Sequence, residues 1–458
     1  MNLDYFINQL IKIVSLNNII LDDQIKIKFE VDWRKNFTGK SLAVLFPVNI
    51  TQIQDIILLC NQFKVAIVPQ GGNTSLCGGA TPIENSRLQQ IIVNMSKLNK
   101  ILEINSINRT VTVESGCLLG KLKSVLSEQN LFFPLALGSL DSCQIGGNIA
   151  TNAGGINVLR YGMMRDLVLG LEVVLPNGKI INVLNELIKH NTYIDIKHLF
   201  IGSEGTLGII TKACLKIYSN LKNSQSGMIY LNNFSEAINL LLVLEHYDLT
   251  AFEIINSETI CLLNKYFSEY SLSTKYEWVI MFNLDVDIEF DYEMLLKKLN
   301  TVPNIEIFLS YNEESKNKIW HSRELIPLAE KQEGSIIKHD ISLPLDRIEF
   351  FIATNKLNIL NHFPLSKFIV FGHLGDGNLH YNIKIDNYTK TIAKKINDLV
   401  YADVMKLDGS YSAEHGIGML KKDLFKNFSD QNNFQLCKDI KGLIDPNNIF
   451  NRGKIFDD

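Results

Sequence analysis

The sequence predicts an α+β protein of two or three domains, and three observations predict it. The chain has 458 residues, more than one simple core holds. Its second half alternates helical stretches, about 235–246 and 254–267, with strand-like runs at 277–284, 305–310, 367–371 and 379–385. That pattern suits a mixed fold with an antiparallel sheet. The polar segment SNLKNSQSG, residues 219–227, interrupts the pattern and marks a domain boundary.

The elements follow in order from local signals. The start, up to about residue 20, reads as an amphipathic helix within an N-terminal helical segment, 1–37. Residues 41–47 are an apolar run ending at Pro47, a strand. Ile53, Ile56, Ile57, Cys60 and Phe63 recur at helical spacing. Val65–Val68 is a second strand, closed by Pro69. IIVNM, ILEI and TVTVESG then suggest strands joined by a turn. Leu118, Leu119, Leu122, Val125 and Leu126 make a helix, and residues 134–165 read as loop. Pro176-Asn177-Gly178 joins 166–175 to 180–183 as a hairpin, and 207–218 is a further strand. The last fifty residues are helical before the loop FNRGKIF.

Composition excludes several classes. Hydrophobic residues are 46% and charged residues 21%, as in an ordinary globular protein. The net charge of -4 offers no basic field for nucleic acid. The seven cysteines are scattered and never spaced C-x-x-C, which argues against an iron–sulfur cluster or zinc ribbon and for a reducing compartment. No secretory leader pattern is seen, and the longest apolar run, around Leu240–Leu244, is too short to span a bilayer. The expected location is cytoplasmic, with peripheral membrane association left open.

Three glycine-rich segments carry the first chemistry. In Pro69-Gln70-Gly71-Gly72-Asn73-Thr74-Ser75, adjacent glycines let backbone N–H groups turn toward an anion, and three short polar side chains add donors. This suits a pyrophosphate, and it is neither a G-x-G-x-x-G nor a P-loop signature. The segment 134–162 is rich in small residues that can lie flat against a planar ligand. The third, 199–211, holds a buried-carboxylate candidate, Glu204, and three glycines before a strand.

Together these segments resemble the FAD-binding domain of the flavoprotein family that includes vanillyl-alcohol oxidase and p-cresol methylhydroxylase. The nearer resemblance is to its branch of D-2-hydroxyglutarate, D-lactate and glycolate dehydrogenases. It covers roughly 38–218 and resumes in the second half. The resemblance implies a PCMH-type FAD-binding domain of two α+β subdomains at 38–218. An α+β substrate domain with an antiparallel sheet and a C-terminal helical segment would follow at 219–458. It implies FAD contacts from Pro69, Gly71, Gly72, Asn73, Thr74, Ser75, Pro134, Ser142, Gly146, Gly147, Thr151, Asn152, Gly162, Glu204, Gly208, Ile209 and Asn451. No histidine falls in these loops, so FAD is expected to bind noncovalently.

The histidines supply the second chemistry. In GHLGDGNLH, a turn brings His373 and His380 together across a short hairpin. With the carboxylate of Glu414 they make a three-ligand metal site with an open position, for zinc, or for manganese or iron with more oxygen ligands. His415, next in the chain, is placed to take a hydroxyl proton. The resemblance agrees on the ligands and the base. An anionic substrate needs fixed cations. W-x-x-R-E and K-x-D-x-S-L-P resemble the branch's carboxylate-binding segments, which implies substrate contacts from Arg323, Lys338 and, after His380, Asn382. Read alone, Arg323 and Lys338 pair with acids such as Glu324 and Asp340. Pro327 replaces the hydroxyl that hydroxyglutarate enzymes tend to carry one turn after Arg323, which puts a second substrate carboxylate in doubt.

The expected reaction is FAD-dependent oxidation of D-2-hydroxyglutarate or D-lactate to the 2-oxo acid. The alternatives are a glycolate oxidase FAD subunit and a transferase similar to alkyl-dihydroxyacetonephosphate synthase. The expected partners are the small anionic substrate and an external electron acceptor, either an electron-transfer protein or a quinone. Neither nucleic acid nor a membrane span is expected, and homodimerisation is left open.

Overall fold

The computed structural model describes residues 2–220, 223–287 and 289–457. Its contacts divide the chain into two units: Met1–Gly154 with Gly162–Asn220 and Glu414–Asp458, and Gly155–Tyr161 with Leu221–Ala413.

The first unit is built on two sheets. One contains β1 (Ile19–Ile20), β2 (Val44–Leu45), β3 (Ala66–Gln70) and β4 (Gln90–Asn94), in the order β1-β2-β4-β3. β2 and β3 run parallel to β4. All five residues of β4 are buried, as expected of a central parallel strand covered on both faces. The helix Ile50–Phe63 starts on the side chain of Asn49, which accepts from Gln52 N, and buries Ile53, Ile56, Ile57 and Cys60. The helix Leu3–Val14 turns Phe6, Leu10 and Val14 into the same core. At about 1.5–3 kcal/mol per buried side chain, these three tie the N-terminal segment to this core.

The other sheet contains β5 (Ile101–Asn105), β6 (Thr110–Glu114), β8 (Val168–Val174), β9 (Ile180–Asn182) and β10 (Ile209–Lys216), antiparallel in the order β5-β6-β10-β8-β9. β7 (Leu131–Phe132) pairs with β11 (Tyr218–Ser219) separately. The β8–β9 hairpin turns at Gly178, φ 78°, as its sequence predicts. The expected loop 134–165 instead contains the helices Ile145–Ala150, Val158–Tyr161 and Met164–Leu167. Gly146 is helical despite its low propensity because a Cβ there would stand 2.6 Å from Ser115 Cβ, so packing overrides propensity.

The C-terminal segment departs from the expected 219–458 domain, since Glu414–Asp458 groups with the first unit. Ile67 N donates to Ile449 O at 2.7 Å and Asn451 N to Ile67 O at 2.8 Å, extending the edge of β3. Lys441 Nζ donates to Thr206 O at 2.9 Å. Conversely, Gly155–Tyr161 leaves the expected 38–218 domain, and Arg160 pairs with Asp248 at 2.7 Å.

The second unit is one antiparallel sheet of eight strands. These are β12 (Ser224–Leu231), β13 (Leu249–Asn256), β14 (Trp278–Asp285), β15 (Glu306–Leu309), β16 (Ile336–Ile337), β17 (Asp340–Ser342), β18 (Lys367–Gly372) and β19 (Asn378–Lys384). The order is β15-β12-β14-β13-β18-β19-β16, with β17 also on β19. Two strands depart from expectation. The break at 219–227 contains Leu221 and Lys222, which lie outside the described residues, and then the start of β12. β12 tolerates its polar residues because they are paired: Ser226 Oγ donates to Asn283 Oδ1 at 2.8 Å and Gln225 Nε2 to Ser310 O at 3.0 Å. The expected helix 254–267 begins only at Ser257, since β13 runs through Asn256 with all eight residues buried. A strand covered on both faces shows no alternation, so periodicity does not separate it from a helix.

Candidate active site

In the first unit, β3 delivers the loop Gly71–Ser75. A Cβ on Gly72 would lie 1.9 Å from Ser142 O, so this position admits only glycine. Asn73 adopts φ 54° and donates to Val31 O at 2.9 Å. Ser75 Oγ accepts the N–H groups of Cys77 and Gly79, each at 3.3 Å, and Thr74 is half-buried. Gly147 approaches this loop: a Cβ on Gly71 would be 3.8 Å from Gly147 Cα, while one on Gly147 would meet nothing within 4 Å. Among the described residues, Asn73 Oδ1, Ser115 Oγ and Gln144 Oε1 are buried with no hydrogen-bond partner. Each such orphan costs about 1–3 kcal/mol. Open space beside two glycine segments, edged by unsatisfied polar atoms, fits a bound dinucleotide.

Other sequence-predicted contacts are occupied within the protein. Thr151 Oγ1 donates back to Gly147 O at 3.0 Å, and Asn152 Oδ1 accepts from Arg165 N at 2.9 Å. Gly162 turns at φ 75° against Asp166, and Pro134 is buried. Ser142 is exposed and contributes its carbonyl beside Gly72. Gly208 packs on Val173, and Ile209 opens β10 opposite Val174.

Glu204 has an internal task. Its Oε1 accepts from Ile417 N at 2.7 Å and its Oε2 from Gly418 N at 2.9 Å. Burial pushes its pKa above the ordinary carboxylate range, against these donors and the ammonium groups of Lys421 and Lys454. Gly416, at φ 79°, would put a Cβ 2.7 Å from Glu204 Oε1. The segment that follows Glu414 and His415 is therefore clamped inside the first unit, where His415 Nε2 lies 3.5 Å from Glu414 Oε1. Asn451 joins the same assembly, donating to Glu204 O at 2.6 Å and Gly79 O at 2.9 Å. Lys454 donates to Gly79 O at 2.9 Å and Asn451 Oδ1 at 2.6 Å, and burial lowers its pKa to about 7 despite the attraction of Glu204.

In the second unit, β19 alternates strictly. Leu379, Tyr381 and Ile383 are buried on one face, and Tyr381 meets Phe351 with ring centroids 5.0 Å apart. Asn378, His380 and Asn382 share the other face. The hairpin brings His373 and His380 together as expected, with ring centroids 6.0 Å apart. Asp340 is the register partner of His380 across β17 and β19.

Two buried carboxylates that sequence reasoning missed organise this face. Glu253, on β13 and fully buried, accepts from His373 Nδ1 and, at 2.6 Å, from Arg323 Nε. Burial favours its protonation, but His373 and Arg323 hold its pKa down to about 2. The Arg323 guanidinium also lies 4.7 Å over the Phe371 ring. Glu330 accepts from Lys338 Nζ at 2.5 Å and from Asn382 Nδ2 at 2.6 Å. Read alone, these cations would pair with Glu324 and Asp340; the acids they meet are Glu253 for buried Arg323 and Glu330 for half-buried Lys338. Glu253 had a signal, a lone charge within the apolar run AFEII; Glu330, in LAEKQE, looks like any helix-surface acid. His339 is structural, its Nδ1 donating to Tyr381 O at 2.7 Å, and His321 is exposed beside Tyr270.

Comparison with known proteins also divides the chain in two, with the C-terminal segment matched together with the second part. The family described as FAD binding domain matches residues 41–184, and that described as FAD linked oxidases, C-terminal domain, matches 221–455. A D-2-hydroxyglutarate dehydrogenase of Stutzerimonas stutzeri is 32% identical over 98% of both chains. The chain belongs to the FAD-linked D-2-hydroxy acid dehydrogenase family. A Schizosaccharomyces pombe protein provisionally named a mitochondrial D-lactate dehydrogenase is 35% identical over 92% of this chain and 83% of its own. Among solved structures, substrate-bound p-cresol methylhydroxylase has a TM-score of 0.79 at 15% identity, covering 99% of this chain and 97% of that one. An alkyldihydroxyacetonephosphate synthase reaches 0.76 at 18%, covering 98% and 84%. At these identities the likeness shows the fold, the PCMH-type α+β architecture. The chain is thus an FAD-linked oxidoreductase, and no described helix is long and apolar enough to cross a membrane.

Proposed function

We propose that this chain oxidises a small D-2-hydroxy acid, D-2-hydroxyglutarate or D-lactate, to the 2-oxo acid. The observation that carries the reading is the polar face of β19. There His380 and Asn382 stand beside His373 and Arg323, both held by buried Glu253, in a chain of this family. The glycine-lined space would hold FAD noncovalently, and FAD would supply the two-electron acceptor for the C2 hydride. His373 and His380, with Glu414, would hold a divalent metal, zinc ahead of manganese or iron, supplying Lewis acidity toward the substrate hydroxyl. His373 fits such a role, since a carboxylate on Nδ1 fixes the ring and makes Nε2 the donor atom. His415 takes the hydroxyl proton as general base. Arg323, Lys338 and Asn382 orient the acid, which contributes through proximity. An external electron-transfer protein or quinone reoxidises the enzyme. The seven cysteines form no disulfide, which supports a reducing compartment, and we place the chain in the cytoplasm.

The test is anaerobic mixing of purified protein with D-lactate, D-2-hydroxyglutarate, D-malate and glycolate, followed by flavin absorbance. Bleaching by a D-acid, lost after chelation and in His415→Ala, is expected. A protein that holds flavin and metal but is bleached by none of them refutes the reading in favour of a transferase or a silent oxidase subunit.

A further inference from the structure

The helix Ile326–Glu333 carries Glu330, whose residue is 3% exposed. One carboxylate oxygen takes Lys338 Nζ at 2.5 Å and the other takes Asn382 Nδ2 at 2.6 Å. The far end of the Asn382 amide is engaged too, its Oδ1 accepting from His339 N at 2.9 Å. Lys338, Glu330 and Asn382 therefore form a closed, electrically neutral unit. It lies on the His380 face of β19, because Asn382 and His380 are two residues apart on one strand. The other cation expected to hold substrate, Arg323, is matched by fully buried Glu253 at 2.6 Å. On this face two cations and two carboxylates cancel, so these four groups leave no surplus positive charge for a second anionic end. Four residues after Arg323, Pro327 offers neither a hydroxyl nor an N–H. A substrate carboxylate brought to Lys338 would also meet the like charge of Glu330, already hydrogen-bonded there. Rejection of a competitor commonly works through such a repulsive element.

We infer that Glu330 is a specificity-determining residue. It reserves the enzyme for 2-hydroxy acids with one carboxylate and an uncharged side chain, the D-lactate class, and disfavours dicarboxylates such as D-2-hydroxyglutarate and D-malate. The inference rests on the proposed D-2-hydroxy acid oxidation and narrows its substrate.

The test compares rates of anaerobic flavin reduction, and the dissociation constants they yield, for D-lactate, D-2-hydroxybutyrate, D-malate and D-2-hydroxyglutarate on the holoenzyme. The wild type is expected to favour the monocarboxylates at least tenfold in rate over dissociation constant. This comparison needs no variant. Glu330→Gln keeps the shape and one acceptor but removes the charge. It is expected to raise the dicarboxylate-to-monocarboxylate ratio at least tenfold, chiefly through the dissociation constant, and Lys338→Met added to it is expected to abolish that gain. Bleaching by dicarboxylates as efficient as by D-lactate in the wild type, or a ratio unmoved by Glu330→Gln, overturns this inference alone. No bleaching by any acid in a flavin-loaded protein overturns the oxidation reading and this inference with it.

Discussion

Replacing Glu204 by glutamine separates a cofactor contact from a structural clamp. Glu204 accepts one backbone N–H on each oxygen, from Ile417 and Gly418. Glutamine retains one acceptor but turns an NH2 group toward the other N–H, leaving a buried donor unpaired at a cost of about 1–3 kcal/mol. In a chain of this length such a loss lowers the thermal midpoint by about 1–3 °C. The larger effect falls on chemistry, because Ile417 and Gly418 follow His415 within three residues. A displacement of about 1 Å in a reacting group costs on the order of 100-fold in rate. The expected outcome is a variant that binds FAD at near full occupancy yet is reduced by its substrate about 100-fold more slowly. Flavin absorbance per protein measures the first quantity and anaerobic stopped flow the second. Loss of FAD with an undiminished rate per remaining flavin would refute the clamp and restore Glu204 as a cofactor contact.

Gly72→Ala is expected to yield folded protein with little or no FAD, since its Cβ would be forced 1.9 Å from Ser142 O; the flavin-to-protein absorbance ratio decides, and a fully yellow variant contradicts the loop geometry. A thiol reagent acting on native protein is expected to find Cys261 quickly and Cys437 more slowly, while buried Cys60, Cys77, Cys117, Cys143 and Cys214 react only after denaturation. Lys454 predicts a pH dependence. Burial lowers its folded pKa to about 7 from the 10.5 of an exposed lysine, so between these values the unfolded chain binds the extra proton and stability rises with pH. From pH 7 to 9 that contribution is at most about 2.7 kcal/mol. Melting curves of wild type and Lys454→Met should diverge in slope over this window, and parallel curves would show that Lys454 stays charged.

The glycine segments and the histidine hairpin were legible because their chemistry is local. Two adjacent glycines after a strand, or His-x6-His around a Gly-Asp-Gly turn, bring their own geometry with them, and the structure places Gly72 against Ser142 and His373 near His380. The helix Ile50–Phe63 and the β8–β9 hairpin were legible for the same reason, one through its apolar period and the other through Pro-Asn-Gly. β12 and β13 were not, because a polar strand satisfied by its neighbours and an apolar strand buried on both faces each lack the alternation that marks a strand.

Sequence by itself therefore determined the family, the α+β class and the loop that can cradle a dinucleotide, and it offered the histidines and carboxylate on which the proposed chemistry rests. Tertiary structure decided which charges meet. It set Glu253 between His373 and Arg323, closed Glu330 on Lys338 and Asn382, turned Glu204 onto the segment after His415 and returned the C-terminal segment to the flavin-binding unit. The physical reason is separation along the chain. Glu253 lies 120 residues from His373 and Glu204 lies 213 from Ile417, and local periodicity carries no information about which distant backbone or side chain will arrive to satisfy a buried carboxylate.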